Sequence, residues 1–349
     1  MLWRPVEERR RVSIPNAQRV RTVLTGVKPT GKPHLGNYLG AMLPALELAR
    51  SHRALLFIAD YHALTDLEEA RTVRAETYEV AAAWLAAGLD PENVTFYRQS
   101  DIPEVFELFW LLSCATPKGM MNRAHAYKAM VEANIQLKRD PDYGVGMGLF
   151  AYPVLMASDI LLFDVDVVPV GRDQSQHVEM ARDIAQRFNN EVGDVLKVPE
   201  LVLAAEPEPV LGLDGRKMSK SYDNTIPLFA SRDELWRLLR RYKTDSSAAD
   251  APKDPDANGL FRIYAAFAAP ADVVVTRAAL AAGALTWGGL KERTLEALDA
   301  VLAPLRQRYQ ALLEDTPQID RILADGARRA RPFAEATMRR VRRAVGVGV

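Results

Sequence analysis

Two segments far apart in the chain carry residue types that hold a polyphosphate. One is Arg216–Asn224, R-K-M-S-K-S-Y-D-N, with Gly215 before it and Pro227 behind. Lys217 and Lys220 lie three apart, with Ser219 and Ser221 beside them. Such a loop offers two ammonium groups, two hydroxyls and its own N–H groups to one ligand. A lone K-x-x-K is more often a solvated basic turn; the five letters K-M-S-K-S are far more specific. The other segment is Gly26–Asn37, G-V-K-P-T-G-K-P-H-L-G-N, between a strand and a helix. Taken alone, His34 is most simply a satisfied surface histidine. Just before a helix N-terminus, His34 and Asn37 can both donate hydrogen bonds to a phosphate as charge builds on it. The segment is not G-x-G-x-x-G, which disfavours a nicotinamide cofactor.

A third constellation points to what is joined to the phosphate. In A-Y-P-V-L-M-A-S-D-I-L-L-F, Tyr152, Met156 and Asp159 share one helix face. A carboxylate among apolar neighbours needs a donor. For Asp159 that donor is either an arginine elsewhere in the chain or an N–H of a ligand. A hydrogen bond to a charged group contributes about 1.5–3 kcal/mol, and a site built on one can reject an analogue lacking the donor by ~10⁴–10⁵. A fourth stretch, V-P-V-G-R-D-Q-S-Q-H, places Arg172, Asp173 and Gln174 after a strand. Gln174 can bond the amino and carboxylate groups of an amino acid; Asp173 can accept from ribose hydroxyls or cap the next helix. His62 follows another strand and, taken alone, reads as a core histidine.

The elements that must position these residues alternate. Val20–Thr25 reads as a strand ended by Gly26, with a helix from Gly36 that Pro44 can kink. Ala54–Ala59 is a second strand closed by Asp60, then a helix over Leu67–Ala87 with Gly88 as its C-cap. Val94–Arg98 is a third strand. Helices over Pro103–Ala115 and Lys118–Lys138 interrupt the alternation as an insert, and Asp140–Gly148 is a turn-rich break. A helix over Pro153–Phe163, a strand over Val165–Val170 ended by Gly171, and a helix over Asp173–Phe188 follow. The pattern predicts an open, doubly wound parallel sheet with its crevice at the carboxyl ends of the strands, so Gly26, Asp60 and Gly171 face one cleft. Beyond the K-M-S-K-S loop the chain turns helical: Asp233–Tyr242 capped by Ser231, Thr286–Tyr309 and Ile319–Ala344. Val273–Val275 is the single candidate strand there. Eight arginines between Arg321 and Arg343 suggest phosphate contact; a solvated face paired to acidic neighbours is the alternative.

The 349 residues suffice for about two domains. With 48% hydrophobic and 26% charged residues the chain is globular rather than disordered. Basic and acidic residues balance at 45 each, so nucleic-acid binding must come from local patches. One cysteine, Cys114, excludes an intrachain disulfide and points to a reducing compartment. No run is apolar enough to span a bilayer, and the N-terminus lacks an apolar signal core; a cytoplasmic location is expected. Residues 1–20, with five arginines, read as a basic flexible extension.

Taken together, the chain resembles the tryptophanyl-tRNA synthetases of class I from about Thr22 onward. The carriers are G-V-K-P-T-G-K-P-H-L-G-N-Y-L-G, Y-P-V-L-M-A-S-D-I-L-L, V-P-V-G-R-D-Q-S-Q-H and R-K-M-S-K-S. H-L-G-N matches the family's H-x-G-H with Asn37 in place of the last histidine. The resemblance implies a Rossmann-like catalytic domain over 21–228 with a helical insertion at about 103–150, then an α-helical anticodon-binding domain over 229–349. It implies that Lys28, Pro29, Thr30, Gly36, Asn37, Gly171, Arg172, Asp173, Lys217, Met218, Ser219, Lys220 and Ser221 contact ATP, with the adenine against Gly36 and Val210. It implies that Asp159 accepts an indole N–H, with Tyr152, Met156, Gln174 and His62 around L-tryptophan. His34, Asn37, Lys217 and Lys220 would carry catalysis, with Mg²⁺ accompanying ATP and no metal held by protein ligands alone. tRNA(Trp) as acceptor and a homodimer through the insert at 103–138 are also implied. Two residues depart from the family's habit: Lys28 stands where glutamine is common and Arg172 where an acid is. A tyrosyl-tRNA synthetase and a synthetase paralogue with a partner-binding role are the alternatives.

Overall fold

The computed structural model describes residues 20–65, 69–171, 174–203 and 209–348. The N-terminal extension, Arg172 and Asp173 lie outside the described residues. Strand β1, Thr22–Val27, leads through the Pro-rich turn to a helical segment, Leu35–Asn37. A π-helical turn, Tyr38–Met42, then feeds α1, Leu43–Ser51. The irregular turn sits just before Pro44, which cannot donate to the preceding turn. Next come β2, Arg53–Ile58, α2, Val73–Ala86, and β3, Thr95–Arg98. Helices α3, Glu104–Ala115, and α4, His125–Gln136, form the insert. Then follow α5, Met147–Leu161, β4, Val167–Val170, α6, Ser175–Val192, and β5, Glu200–Leu203. The C-terminal part is helical: α7, Arg232–Arg241; α8, Gly259–Phe267; α9, Pro270–Ala281; α10, Trp287–Glu314; and α11, Thr316–Val345.

Among the described residues the five strands are all parallel, in the order β3-β2-β1-β4-β5. The order reverses between β1 and β4, so the crevice opens where Lys28 and Gly171 follow those strands. Alternate strand residues feed two cores. Val23, Leu56, Ile58, Phe96 and Val167 face α2, α8 and α10. Leu24, Leu55, Phe57, Tyr97 and Val168 face α3, α5 and α6. Among the described residues no helix is long and apolar enough to cross a membrane.

Several expectations need correction. Gly26 lies inside β1, where a Cβ would come within 2.6 Å of the Phe57 ring. The stretch Lys118–Lys138 is two helices, because Gln176 of α6 accepts from His125 N (3.0 Å) and donates to Arg123 O (3.2 Å), pinning the break between them. Helix α5 starts at Met147, with Pro153 in its interior. Val273–Val275 is helical, since Pro270 opens α9 and alanines follow. Strand β5 has no alternation in its four residues and takes its form from pairing with β4.

Helix α11 wraps the β3 edge: Ile319 and Leu323 join one core, Ala330, Met338 and Val341 the other. Its backbone lies so close to β3 that a Cβ on Gly326 would collide with the Phe96 carbonyl. Covering that edge removes a site for strand addition. Seven of the eight C-terminal arginines have partners. Arg321, Arg328 and Arg339 pair with Asp315, Asp325 and Glu335 of their own helix region. Arg331, Arg340 and Arg342 reach Glu104, Asp164 and Glu107, and Arg329 donates to the Val94 carbonyl at 3.0 Å. Four of these, Arg329, Arg331, Arg340 and Arg342, fasten α11 to the rest of the fold, and the run as a whole matches the paired-face alternative. Replacing Gly326 by valine is expected to cost about 3 kcal/mol by overpacking, read as a lowered urea midpoint.

Candidate active site

The two candidate phosphate segments are joined by backbone hydrogen bonds. Leu35 N donates to Ile226 O (2.9 Å) and Leu228 N to Pro33 O (3.0 Å), with an antiparallel bridge between His34 and Pro227. Lys220 Nζ donates to the Thr30 carbonyl. A Cβ placed on Gly36 would come within 2.9 Å of the His34 ring and 3.6 Å of Met218 Cβ. Gly36 is thus the close-approach point between the segments.

His34 is buried and forms a capping box with Asn37. Its Nδ1 accepts from Asn37 N (3.3 Å), and Asn37 Oδ1 accepts from His34 N (3.1 Å). An accepting Nδ1 puts the ring proton on Nε2, and the bonded Oδ1 leaves the Asn37 amide N–H groups as donors. Burial first, then the nearby Lys220 charge, lowers the His34 pKa from 6.5 to about 4, so the ring is neutral near pH 7.

The K-M-S-K-S stretch is the return arm of a small hairpin. Met218 N donates to Val210 O (2.8 Å) and Gly212 N to Arg216 O (2.7 Å), with Gly215 at φ +84° in the turn. Asn224, almost fully buried, holds it. Its Nδ2 donates to Asp214 Oδ1 (2.7 Å) and Lys217 O (3.2 Å), and its Oδ1 accepts from Ser219 N (2.8 Å). The Asn224 hydrogen bond, aided by Arg216, draws the Asp214 pKa down to about 2. The loop is tethered, while Lys217, Lys220 and Ser221 remain on the surface.

Asp159 is buried, and no arginine pairs with it among the described residues. Gln99 Nε2 lies 2.9 Å from both carboxylate oxygens, and His62 Nε2 is 3.0 Å from Oδ2. Gln99, fully buried, is itself fixed by Tyr61 N donating to its Oε1 (3.2 Å). Burial raises the Asp159 pKa, and the His62 and Gln99 hydrogen bonds oppose that rise. With the carboxylate ionised, His62 Nε2 carries the shared proton. Oδ1 takes one donor from the protein and keeps room for another. The Tyr152 hydroxyl lies 2.7 Å from His177 Nε2, and its ring meets His62 edge-on at 6.3 Å. Ala59 N donates to Val27 O (2.9 Å), which sets the Asp60–Ala63 turn carrying His62 beside the Lys28 loop.

This arrangement has known counterparts. The family model for class I tRNA synthetases (W and Y) matches residues 16–303. The chain belongs to the class I tRNA synthetases for tryptophan and tyrosine. It is 53% identical over 331 residues to the tryptophan–tRNA ligase of Bordetella pertussis, covering 94% of this chain and 73% of that one. It is 50% identical over 330 residues to that of Neisseria meningitidis, covering 94% of this chain and 98% of the relative. A crystal structure of tryptophanyl-tRNA synthetase from Campylobacter jejuni complexed with ADP and tryptophan superposes with TM-score 0.85 at 39% identity, covering 93% of this chain and 100% of that one. This synthetase is a tryptophan–tRNA ligase, and the tyrosine alternative falls away.

Of the residues singled out from sequence, the synthetase fold brings Thr30, His34, Gly36, Met218 and Lys220 together, and separately His62, Tyr152 and Asp159. Gln174 stands at the start of α6, its N–H donating to Gly171 O at 3.0 Å. Met156, partly buried, packs against the second core. Sequence reasoning missed Gln99, Asn224 and His177. Gln99 follows β3 directly, and Asp60 follows β2 after one residue; a polar residue at a strand's carboxyl end was its available signal.

The neutral His34 gives a pH prediction. Its folded pKa, about 4, lies below the ordinary 6.5. The unfolded chain therefore binds a proton that the folded chain does not as pH falls between those values. His34's contribution to stability is full above pH 6.5 and is lost as pH drops toward 4. Thermal midpoints of His34→Asn and the unaltered chain should diverge in pH dependence across that window, with the variant's the flatter.

Proposed function

We propose that the two clusters form one adenylating site. The tryptophan carboxylate attacks the α-phosphorus of ATP, the bond to the β-phosphate oxygen breaks, and pyrophosphate leaves. The tRNA(Trp) terminal ribose hydroxyl then takes the aminoacyl group and AMP departs. The observation that supports this best is the pairing of Pro33–Leu35 with Ile226–Leu228, which sets His34 and Lys220 beside one another.

In this reading His34 Nε2–H and the Asn37 amide donate to the α-phosphate, while Lys217 and Lys220 stabilise the leaving pyrophosphate. Lys28, Pro29, Thr30, Gly36, Gly171, Met218, Ser219 and Ser221 line the nucleotide, with Val210 near the adenine. Arg172 and Asp173 are assigned there from sequence alone. Mg²⁺ would be held by the ATP phosphates with few protein ligands, and when bound it would supply charge neutralisation beside Lys217 and Lys220. Asp159 Oδ1 accepts the indole N–H, with Tyr152, Met156, Gln174 and His62 bordering the amino acid. No enzyme nucleophile takes part, so catalysis is positioning and electrostatics. The domain division at about 228, tRNA reading by the helical part and a cytoplasmic location complete the proposal. So does a homodimer through the insert, supported by exposed Trp110, Met130 and Ile135.

Lys220→Ala should slow adenylate formation about 10²–10³-fold in rapid-quench experiments and leave tryptophan affinity by equilibrium dialysis nearly unchanged. Equal losses in both would remove Lys220 from the phosphate role. Gln99→Leu strips one donor from Asp159 and pushes its pKa higher. The KM for tryptophan should rise about ten- to a hundredfold, and the acid limb of kcat/KM should move to higher pH. An unshifted limb would mean that Gln99 only fills space.

A further inference from the structure

The arginines that sequence inspection puts forward, those of α11, are engaged with carboxylates and carbonyls. A different set is not. Arg237, Arg240 and Arg241 of α7 are exposed, and none makes a side-chain hydrogen bond or ion pair among the described residues. At about 100° per residue they fall on one arc of the helix, with Arg237 between the other two. Leu235 and Leu239, fully buried, point to the opposite side. The three arginines line a surface groove of about 450 Å³ together with Leu238 and one acid, Glu234. Exposed Lys243 follows the helix, and Lys291 Nζ donates to the Arg240 carbonyl (2.9 Å), so the same end gains further positive charge. Cations in a last helical turn offset the helix dipole by about 0.3–1 kcal/mol each. That term asks for neither a common arc nor a groove, and it does not reach Arg237.

We propose that this face of α7 docks the tRNA sugar–phosphate backbone, with Arg237, Arg240 and Arg241 each contacting phosphate. The proposal rests on tRNA being the second substrate. Planar guanidinium groups match phosphate oxygens in pairs. A membrane-surface helix would need an exposed apolar face beside its cations, whereas the leucines opposite these arginines are buried in the core. The helix is also tied to the signature hairpin. The Tyr242 hydroxyl donates to Leu211 O (3.1 Å) and Lys243 N to Leu213 O (2.9 Å). Backbone docked on α7 therefore lies next to the loop that carries Lys217 and Lys220.

The test is the salt dependence of tRNA(Trp) binding to the full chain, followed by fluorescence anisotropy. Each phosphate contact contributes about 0.7–0.9 to the slope of log K against log salt. The variant R237Q/R240Q/R241Q should lose about 2–3 units of that slope. It should keep tryptophan-dependent ATP–pyrophosphate exchange, which needs no tRNA. Variant R328Q/R339Q, on α11, should keep the full slope. A triple variant with an unchanged slope, or an α11 variant with an equal loss, overturns the proposal. If exchange also falls in the triple variant, R237Q alone is read, with an expected loss of about 0.8. If the unaltered chain binds no tRNA, the substrate assignment beneath the proposal fails first.

Discussion

The structure depends on one short antiparallel contact, in which Leu35 and Leu228 each donate to a carbonyl of the other segment. About 190 residues separate those partners in the chain. Two hydrogen bonds of this kind contribute only ~1 kcal/mol each. Their importance is geometric, because they fix His34 and its cap on one side and the Lys220 hairpin on the other. The sheet sets up this meeting by reversing strand order between β1 and β4, which leaves the ends of those strands uncovered for loops to converge.

The same economy governs the second cluster. A carboxylate buried among the residues of α5 is unfavourable unless its lone pairs are met. Here the donors are the Gln99 amide and the His62 imidazole. An arginine would neutralise Asp159 with a full charge and fill the space beside it. These two donors hold the carboxylate in place, oppose the rise that burial imposes on its pKa and leave one lone pair of Oδ1 available.

The C-terminal helices carry two kinds of arginine that look alike in sequence. On α11 seven of them are paired, four with groups outside the helix and three with acids of its own region, and Gly326 lets the helix press against the β3 backbone. On α7 three of them face solvent with Leu235 and Leu239 behind. Density of charge along the chain does not separate a fastener from a free surface. What separates them is whether an acid or a carbonyl lies within reach, and for Arg329, Arg331, Arg340 and Arg342 that group comes from another part of the chain.

Local chemistry in the sequence therefore determined the alternation of strands and helices, the two candidate phosphate segments, and the shared face of Tyr152 and Asp159. Each follows from short-range spacing, turn residues or helical period. Tertiary structure decided the rest. Strand β5 exists because β4 offers an edge; the insert breaks at Asn122–Ala124 because Gln176 pins it. Gln99 and Asn224 act because folding buries them against partners 60 and up to 10 residues away. The proton on His34 Nε2 follows from a cap that forms only when the helix does. Spacing along a chain encodes periodicity; it does not encode which buried group will face which, because that is settled by packing.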